Sequence, residues 1–254
     1  MSVVGVLHPG EMGAAVAGAL RERSKVLWAS TGRSAATAER ARAAGLENAG
    51  ELAELCRRCE ILLSICPPHA AVEVAQATSG FTGIYVDANA TAPDTALAIA
   101  KLQPRLVDGG LVGPPPTQPH TTRLYLSGCE AEEIAALFAG THVDPRVVSA
   151  EPGAASALKM AYAGWTKGSA ALLLTVRELA RAEGVEEALL EEWRLSIPEL
   201  ADQLAGAERS AHRKGWRWIG EMEEITQSMA TRDLPPGFHE AAAEVFRRAA
   251  DAGS

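Results

Sequence analysis

Six residues near the amino terminus, His8-Pro9-Gly10-Glu11-Met12-Gly13, have the glycine spacing of a phosphate-binding turn. A short apolar run precedes them and an alanine-rich periodic segment follows, the context of the dinucleotide fingerprint G-x-G-x-x-G. Glycines serve there because the backbone must turn tightly and approach a pyrophosphate, whose charge a helix amino terminus stabilises. Gly10 and Gly13 keep the second and third glycine positions, and His8 stands at the first. Pro9 favours an extended His8, so the turn does not demand glycine there, and the imidazole can offer a phosphate a hydrogen bond. Farther on, Ser30-Thr31-Gly32-Arg33-Ser34 lies in a stretch, Arg23 to Ala38, that contains no acid. NAD is usually held by an acid about 20 residues beyond the glycines. An arginine fork beside hydroxyl donors instead suits a 2′-phosphate, so Ser30, Thr31, Arg33 and Ser34 point to NADP. Cys66-Pro67-Pro68 and Asn89 follow further apolar runs. Ligands of such sheets sit beyond the strand carboxyl ends, so these loops are expected to border the nicotinamide.

The other chemical candidate is Lys159, set among Ala157, Leu158, Met160 and Ala161. Such a lysine either snorkels from a helix face or is held in a cavity. Drawn away from water, it would suit proton exchange with a carbonyl or hydroxyl.

The elements that must position these residues follow from periodicity. Ser2–Leu7, Lys25–Ala29, Ile61–Ile65, Ile84–Asp87, Leu106–Val107, Arg123–Leu126 and His142–Val148 read as strands. Met12–Arg23, Ala35–Ala44, Leu52–Arg58, Ala70–Ala77 and Asp94–Leu102 read as helices between the earlier strands. After Pro152 the period is helical throughout: Ala154–Glu183, Glu186–Gln203, Ala207–Thr231 and His239–Asp251, punctuated by Gly184, Gly206 and Leu234-Pro-Pro-Gly237. Pro198 either starts a helix or kinks one. The fold class expected is α/β, a Rossmann-type doubly wound sheet over residues 1–150, followed by an all-α domain over 151–254.

Composition bounds the function. At 47% hydrophobic and 22% charged residues the 254-residue chain is not a disordered one. A net charge of −8 argues against a general polyanion binder, so no nucleic-acid partner is expected, although a local basic pocket for a phosphate stays open. No basic segment precedes the apolar run at the amino terminus, so no secretory signal is expected. Ala170–Val176, the longest apolar stretch, is too short to span a bilayer, and no membrane partner is expected. Cys56, Cys59, Cys66 and Cys129 read as reduced thiols of a cytoplasmic protein. Cys56-x-x-Cys59 lacks the second pair of a zinc site, and His69, His120, His142 and His212 lack metal-ligand spacing, so no metal is expected.

The chain resembles the β-hydroxyacid dehydrogenase and 6-phosphogluconate dehydrogenase superfamily. Gly5-Val-Leu-His8-Pro-Gly10-Glu-Met12-Gly13 matches its G-x-x-G-x-G-x-M-G motif except at His8, and Gly153 stands six residues before Lys159 as in its catalytic segment. Trp218-Ile-Gly-Glu-Met-Glu-Glu-Ile-Thr and Leu234-Pro-Pro-Gly-Phe-His are similar to the end of the helical domain in one branch. The resemblance implies that Lys159 is the general acid/base. It also implies that residues 1–150 bind a nicotinamide dinucleotide, NADPH on the reading of Ser30 to Ser34, and that 151–254 bind substrate and join two copies into a homodimer.

The substrate positions depart from the superfamily pattern. Tyr162 and Ala163 replace its asparagines, Thr166 replaces the acid of 6-phosphogluconate dehydrogenases, and Val112-Gly113-Pro114 replaces a Ser-Gly-Gly that grips a carboxylate. Val112 has no hydroxyl and Pro114 no N–H. The segment from Val107-Asp108-Gly109-Gly110 to Leu124-Tyr125-Leu126-Ser127-Gly128 is similar to imine reductases, which usually carry aspartate or tyrosine where Lys159 stands. The expected function is therefore NADPH-dependent hydride transfer to or from a small carbonyl or hydroxyl substrate. The alternatives are an imine reductase and a non-catalytic dinucleotide-binding protein. Tyr162, one turn beyond Lys159, is a candidate pocket residue and His239 a candidate for a shared cleft, whereas Glu221, Glu223 and Glu224 read as a solvated helix edge.

Overall fold

In the computed structural model, residues 1–251 are described. The chain forms two compact units, Met1–Lys159 and Met160–Ser254. The first begins β1 (Val3–Val6), α1 (Glu11–Gly18), β2 (Lys25–Ala29), α2 (Ala35–Ala43), β3 (Glu47–Gly50), α3 (Leu52–Arg58), β4 (Ile61–Ser64). A short 3-10 turn and α4 (Ala71–Ala77) lead to β5 (Ile84–Asp87), α5 (Pro93–Leu102), β6 (Leu106–Val112), β7 (Thr122–Ser127), α6 (Ala131–Phe138) and β8 (Val143–Ser149).

The strands make one sheet in the order β3-β2-β1-β4-β5-β6-β7-β8. Every neighbouring pair is parallel except β6 and β7. The central strands are continuous apolar runs because both faces are covered. Side chains alternate between two cores. Val4, Val6, Ile61, Leu63, Ile84 and Val86 meet Val16, Ala17, Leu20, Ala41, Ile134 and Phe138 of α1, α2, α6 and the turn after α1. Leu27, Leu62, Tyr85 and Leu106 meet Leu55, Ala71, Ala75 and Ile99 of α3, α4 and α5 on the other face.

The second unit comprises the remainder of α7 (Ala154–Ala182), α8 (Glu186–Ser196), α9 (Leu200–Ala230) and α10 (Gly237–Asp251). Gly184 ends α7 in the left-handed region, at φ 70°, where a Cβ would be disfavoured. α9 buries Leu204, Ala207, Ala211, Gly215, Met222 and Ile225, a three-and-four spacing, and Trp218 meets Phe246 of α10 edge to face at 5.0 Å.

Several expectations need correction. β3, mostly polar and with only Ala49 buried, and α6 were not foreseen. β6 runs on through Gly109-Gly110 to Val112, all seven residues buried, where only Leu106–Val107 was expected. The helix expected over 186–203 ends at Ser196, because Pro198 has no N–H and its ring clashes with the preceding turn; α9 restarts at Leu200. Gly206 lies inside α9 rather than ending a helix. Among the described residues no helix is long and apolar enough to cross a membrane.

Candidate functional site

Gly10 is the residue before α1, with extended backbone, and no side chain caps the helix. The first helical bond runs from Ala14 N–H to Gly10 O, so the amides of Glu11, Met12 and Gly13 precede any intrahelical acceptor. The two glycines differ in what they serve. A Cβ on Gly13 would lie 2.3 Å from His8 O, so the packing of α1 against the end of β1 requires glycine there. A Cβ on Gly10 would meet nothing within 4 Å, and its φ of −70° suits any residue. The fold itself therefore does not require that glycine, but a ligand resting on the helix end would.

His8 is half-buried beside this turn, and its Nδ1 has no hydrogen-bond partner. Burial first, and then the Arg33 guanidinium, pushes the imidazole down to about 4. It is neutral at pH 7, able to offer a hydrogen bond but not a charge.

The end of β2 comes to the same place. Arg33 Nη2 donates to Leu7 O (3.2 Å). Arg40, on α2, donates from Nε to Pro9 O (3.5 Å) and from Nη2 to Thr37 Oγ1 (3.2 Å). Ser34 accepts from Thr37 N–H and so caps α2. Ser30 N–H is bonded to Gly50 O. Thr31 Oγ1 donates to Glu51 Oε1 (2.9 Å), an acid that sequence distance concealed: it is 20 residues away but next door in the fold. Two guanidinium groups and one carboxylate thus flank the expected 2′-phosphate position.

Beyond β4 and β5 the polar groups are turned inward. Asn89, 2% exposed, accepts from Cys66 N–H (2.5 Å) and donates to Ser64 Oγ (3.1 Å) and to Asp87. It fixes the Cys66-Pro67 loop through its side chain rather than presenting an amide outward. Burial, then the Asp87 carboxylate, pushes the Cys66 thiol up to about 12, which leaves it a poor nucleophile. Pro67 and Pro68 lead into the short turn before α4.

Lys159 closes the first unit. It is half-buried on α7, and its Nζ donates to Leu111 O of β6 at 2.8 Å. The backbones approach closely here, since a Cβ on Gly110 would lie 3.0 Å from both Ala155 O and Lys159 Cβ. Val112 is buried, Gly113 (φ 122°) leaves no room for a Cβ against Thr121 O, and Thr122 Oγ1 donates to Pro114 O at 2.5 Å. The loop Pro114-Pro115-Pro116 that follows contains no N–H at all.

Tyr162 and Ala163 belong to the second unit: Tyr162 is exposed and Ala163 buried. His239 is buried and its Nε2 lies 3.2 Å from Gly164 O, against Gly164 and Gly168 of α7. Glu221 is not on a solvated edge; it pairs with Lys167, which also lies 5.5 Å from the Trp218 ring centre. Cys56, Cys59, Cys66 and Cys129 are free thiols, and the described residues contain no cluster able to hold a metal ion.

The model of a family described as a domain of unknown function (DUF1932) matches residues 180–249. A curated relative, the uncharacterized 28.5 kDa protein in the 7S RNA 5′ region of Methanothermus fervidus, is 28% identical over 191 residues, 74% of each chain. The solved structure of conserved protein MTH1747, of unknown function and described as structurally similar to 3-hydroxyacid dehydrogenases, is 28% identical with a TM-score of 0.74, covering 98% of this chain and 97% of that one. Mycobacterium tuberculosis 3-hydroxyisobutyrate dehydrogenase, solved with L-serine, shares the fold at 13% identity, TM-score 0.76, with 99% and 94% coverage. The chain shares the fold of these dehydrogenase-like structures. A reductive aminase from Aspergillus terreus, solved with NADPH, cyclohexanone and allyl amine, shares that fold at 19% identity and TM-score 0.59, with 99% and 94% coverage.

On that fold the chain combines a half-buried lysine on α7 with a proline-rich loop after β6. Sequence reasoning missed Arg40, Glu51, Asp108 and Ser156 as neighbours of the candidate residues. Each reaches its partner across 20 residues or more, and only the folded sheet brings them in.

Proposed function

We propose that the chain is an NADPH-dependent oxidoreductase that moves a hydride between the nicotinamide and a small carbonyl or hydroxyl substrate, with Lys159 moving the proton. The observation that carries the reading is the α1 amino terminus: amides that no protein side chain caps, behind a Gly10 with open space at its Cβ. Such a helix end suits a pyrophosphate. When bound, the cofactor would supply or accept the hydride; everything else falls to the chain. Arg33 and Arg40 would face the 2′-phosphate, opposed by Glu51. Lys159, with one N–H directed to Leu111 O, keeps two for a substrate oxygen. It would protonate that oxygen as hydride arrives and reclaim the proton in reverse.

Neutral substrates are favoured because Val112 offers a carboxylate no side-chain donor and Pro114-Pro115-Pro116 offer it no N–H. The same observation supports an imine reductase as the second reading. A panel of ketones and imines followed by NADPH oxidation separates the two. Lys159→Ala should abolish ketone reduction under the first reading, and loss of ketone reduction in an enzyme that never reduced imines would exclude the second. NADPH binding without turnover on any substrate would leave a non-catalytic binding protein.

The second unit supports a homodimer. Trp165, Leu172 and Leu179 form a stripe seven residues apart on α7 and are 77%, 64% and 60% exposed. Phe238 lies exposed beside an apolar groove of about 620 Å³ lined by Gly164, Gly168, Leu172 and Val245. An apolar surface of this kind suits a partner chain, and a second copy is the one the reading requires. The free thiols suit a cytoplasmic setting.

A further inference from the structure

We propose that Asp108 is the positioning residue for Lys159, an inference that rests on the reading of Lys159 as the proton-moving group. Asp108 is completely buried in β6. Its carboxylate accepts four hydrogen bonds: from Ser127 Oγ (2.9 Å), Gly153 N–H (3.0 Å), Ser156 N–H (2.9 Å) and Ser156 Oγ (2.6 Å). Ser127, its partner in register on β7, in turn accepts from Ala155 N–H at 3.0 Å.

The amides among these donors lie at the start of α7: Gly153 just before it, Ala155 and Ser156 in its first turn. The first intrahelical bond runs from Ala157 N–H to Gly153 O, so the amides before it find no acceptor within the helix. Most helices take that acceptor from the residue at their own start. Here Gly153 has no side chain to give, and two strands of the sheet supply the cap from 28 residues or more away in sequence. A carboxylate also faces the positive end of the helix dipole. Besides tying β6 to β7 through Ser127, the arrangement fixes where α7 begins and how it is rotated.

That setting governs Lys159, less than two turns onward. β6 touches α7 at three successive levels: Asp108 at the cap, Gly110 against Ala155 O and Lys159 Cβ, and Leu111 O at Lys159 Nζ. Gly110 allows the close approach, and Asp108 holds the helix in it. The flexible lysine chain is thereby anchored at both ends, its Cβ by the helix setting and its Nζ by a carbonyl of the same strand.

The five lysines of the chain make this testable without a known substrate. Reductive methylation with 13C-formaldehyde gives each lysine an NMR signal, and Lys159→Arg identifies the one from Lys159. Asp108→Ala is expected to shift or broaden that signal toward those of exposed lysines, leaving Lys25, Lys101, Lys167 and Lys214 in place. On any substrate that is turned over, the rate should fall about a hundredfold while NADPH affinity holds. Asp108→Asn should keep the signal near its original position, because the amide oxygen can face the three donors while its NH2 faces Ser156 Oγ. An unmoved Lys159 signal in folded Asp108→Ala overturns the proposal. Should that variant not fold, Ser127→Ala removes the Ala155 cap and one donor to Asp108, and an unmoved signal there overturns it equally. The catalytic reading fails separately: full turnover by Lys159→Ala contradicts it while leaving the coupling of Asp108 to Lys159 intact.

Discussion

His8 and Arg33 lie at the end of β1, and Glu51 contacts Thr31 at the end of β2, where the proposed cofactor would rest. A histidine that titrates near 4 in the fold and near 6.5 when unfolded binds more protons in the unfolded chain between those values. The stability contributed by keeping His8 neutral is therefore complete above about pH 6.5 and lost as pH falls toward 4. Thermal melts at about pH 7.5 and pH 4.5 should show a smaller loss of Tm for His8→Gln than for the parent; equal losses would contradict the burial argument. The charges predict cofactor preference. Arg33→Ala should weaken NADPH binding with little effect on NADH, and Glu51→Gln, by removing a carboxylate beside Thr31, should strengthen NADPH binding. If calorimetry finds the NADPH/NADH ratio unchanged in Arg33→Ala, the assignment of the β2 end to a 2′-phosphate is wrong. At this scale the sequence was half legible. The glycine and arginine positions could be read locally, whereas Arg40, Glu51 and Asp108 act on residues 20 or more positions away, which spacing along the chain does not reveal.

The elements set the geometry of these residues through a few contacts without slack. α1 can follow β1 only because Gly13 sits against His8 O, and Gly13→Ala should cost about 1–3 kcal/mol as the backbone shifts to admit a methyl group. A Tm equal to the parent's would show that the helix entry is looser than the structure indicates. The regular elements were readable where burial imposes a pattern: β2, β5 and α3 have the expected bounds, and most others lie within two residues of them. What escaped was governed by tertiary context. β3 is mostly polar because it lies at the sheet edge, and Gly109-Gly110 reads as a loop although close approach to Ala88 and α7 is what the glycines permit. Pro145 sits in β8 without harm because β8 is the opposite edge strand. α6 buries Ala131, Ile134 and Phe138 at helical spacing, a periodic signal that is present in the sequence itself.

For the whole molecule, the division at Lys159 and Met160 places the candidate nucleotide residues and Lys159 in one unit and the exposed α7 stripe in the other. The proposed homodimer makes a direct prediction: sedimentation equilibrium should give twice the 26.7 kDa chain mass, and Leu172→Glu should shift the population to monomer. A parent protein that stays monomeric at all concentrations would leave that stripe without the partner proposed for it. All of the functional reading depends on the α1 helix end receiving a dinucleotide. Titration calorimetry of the unmodified protein with NADPH and with NADH tests this most directly. The account predicts saturable binding of one NADPH per chain, tighter than NADH; the absence of binding by either nucleotide would contradict it.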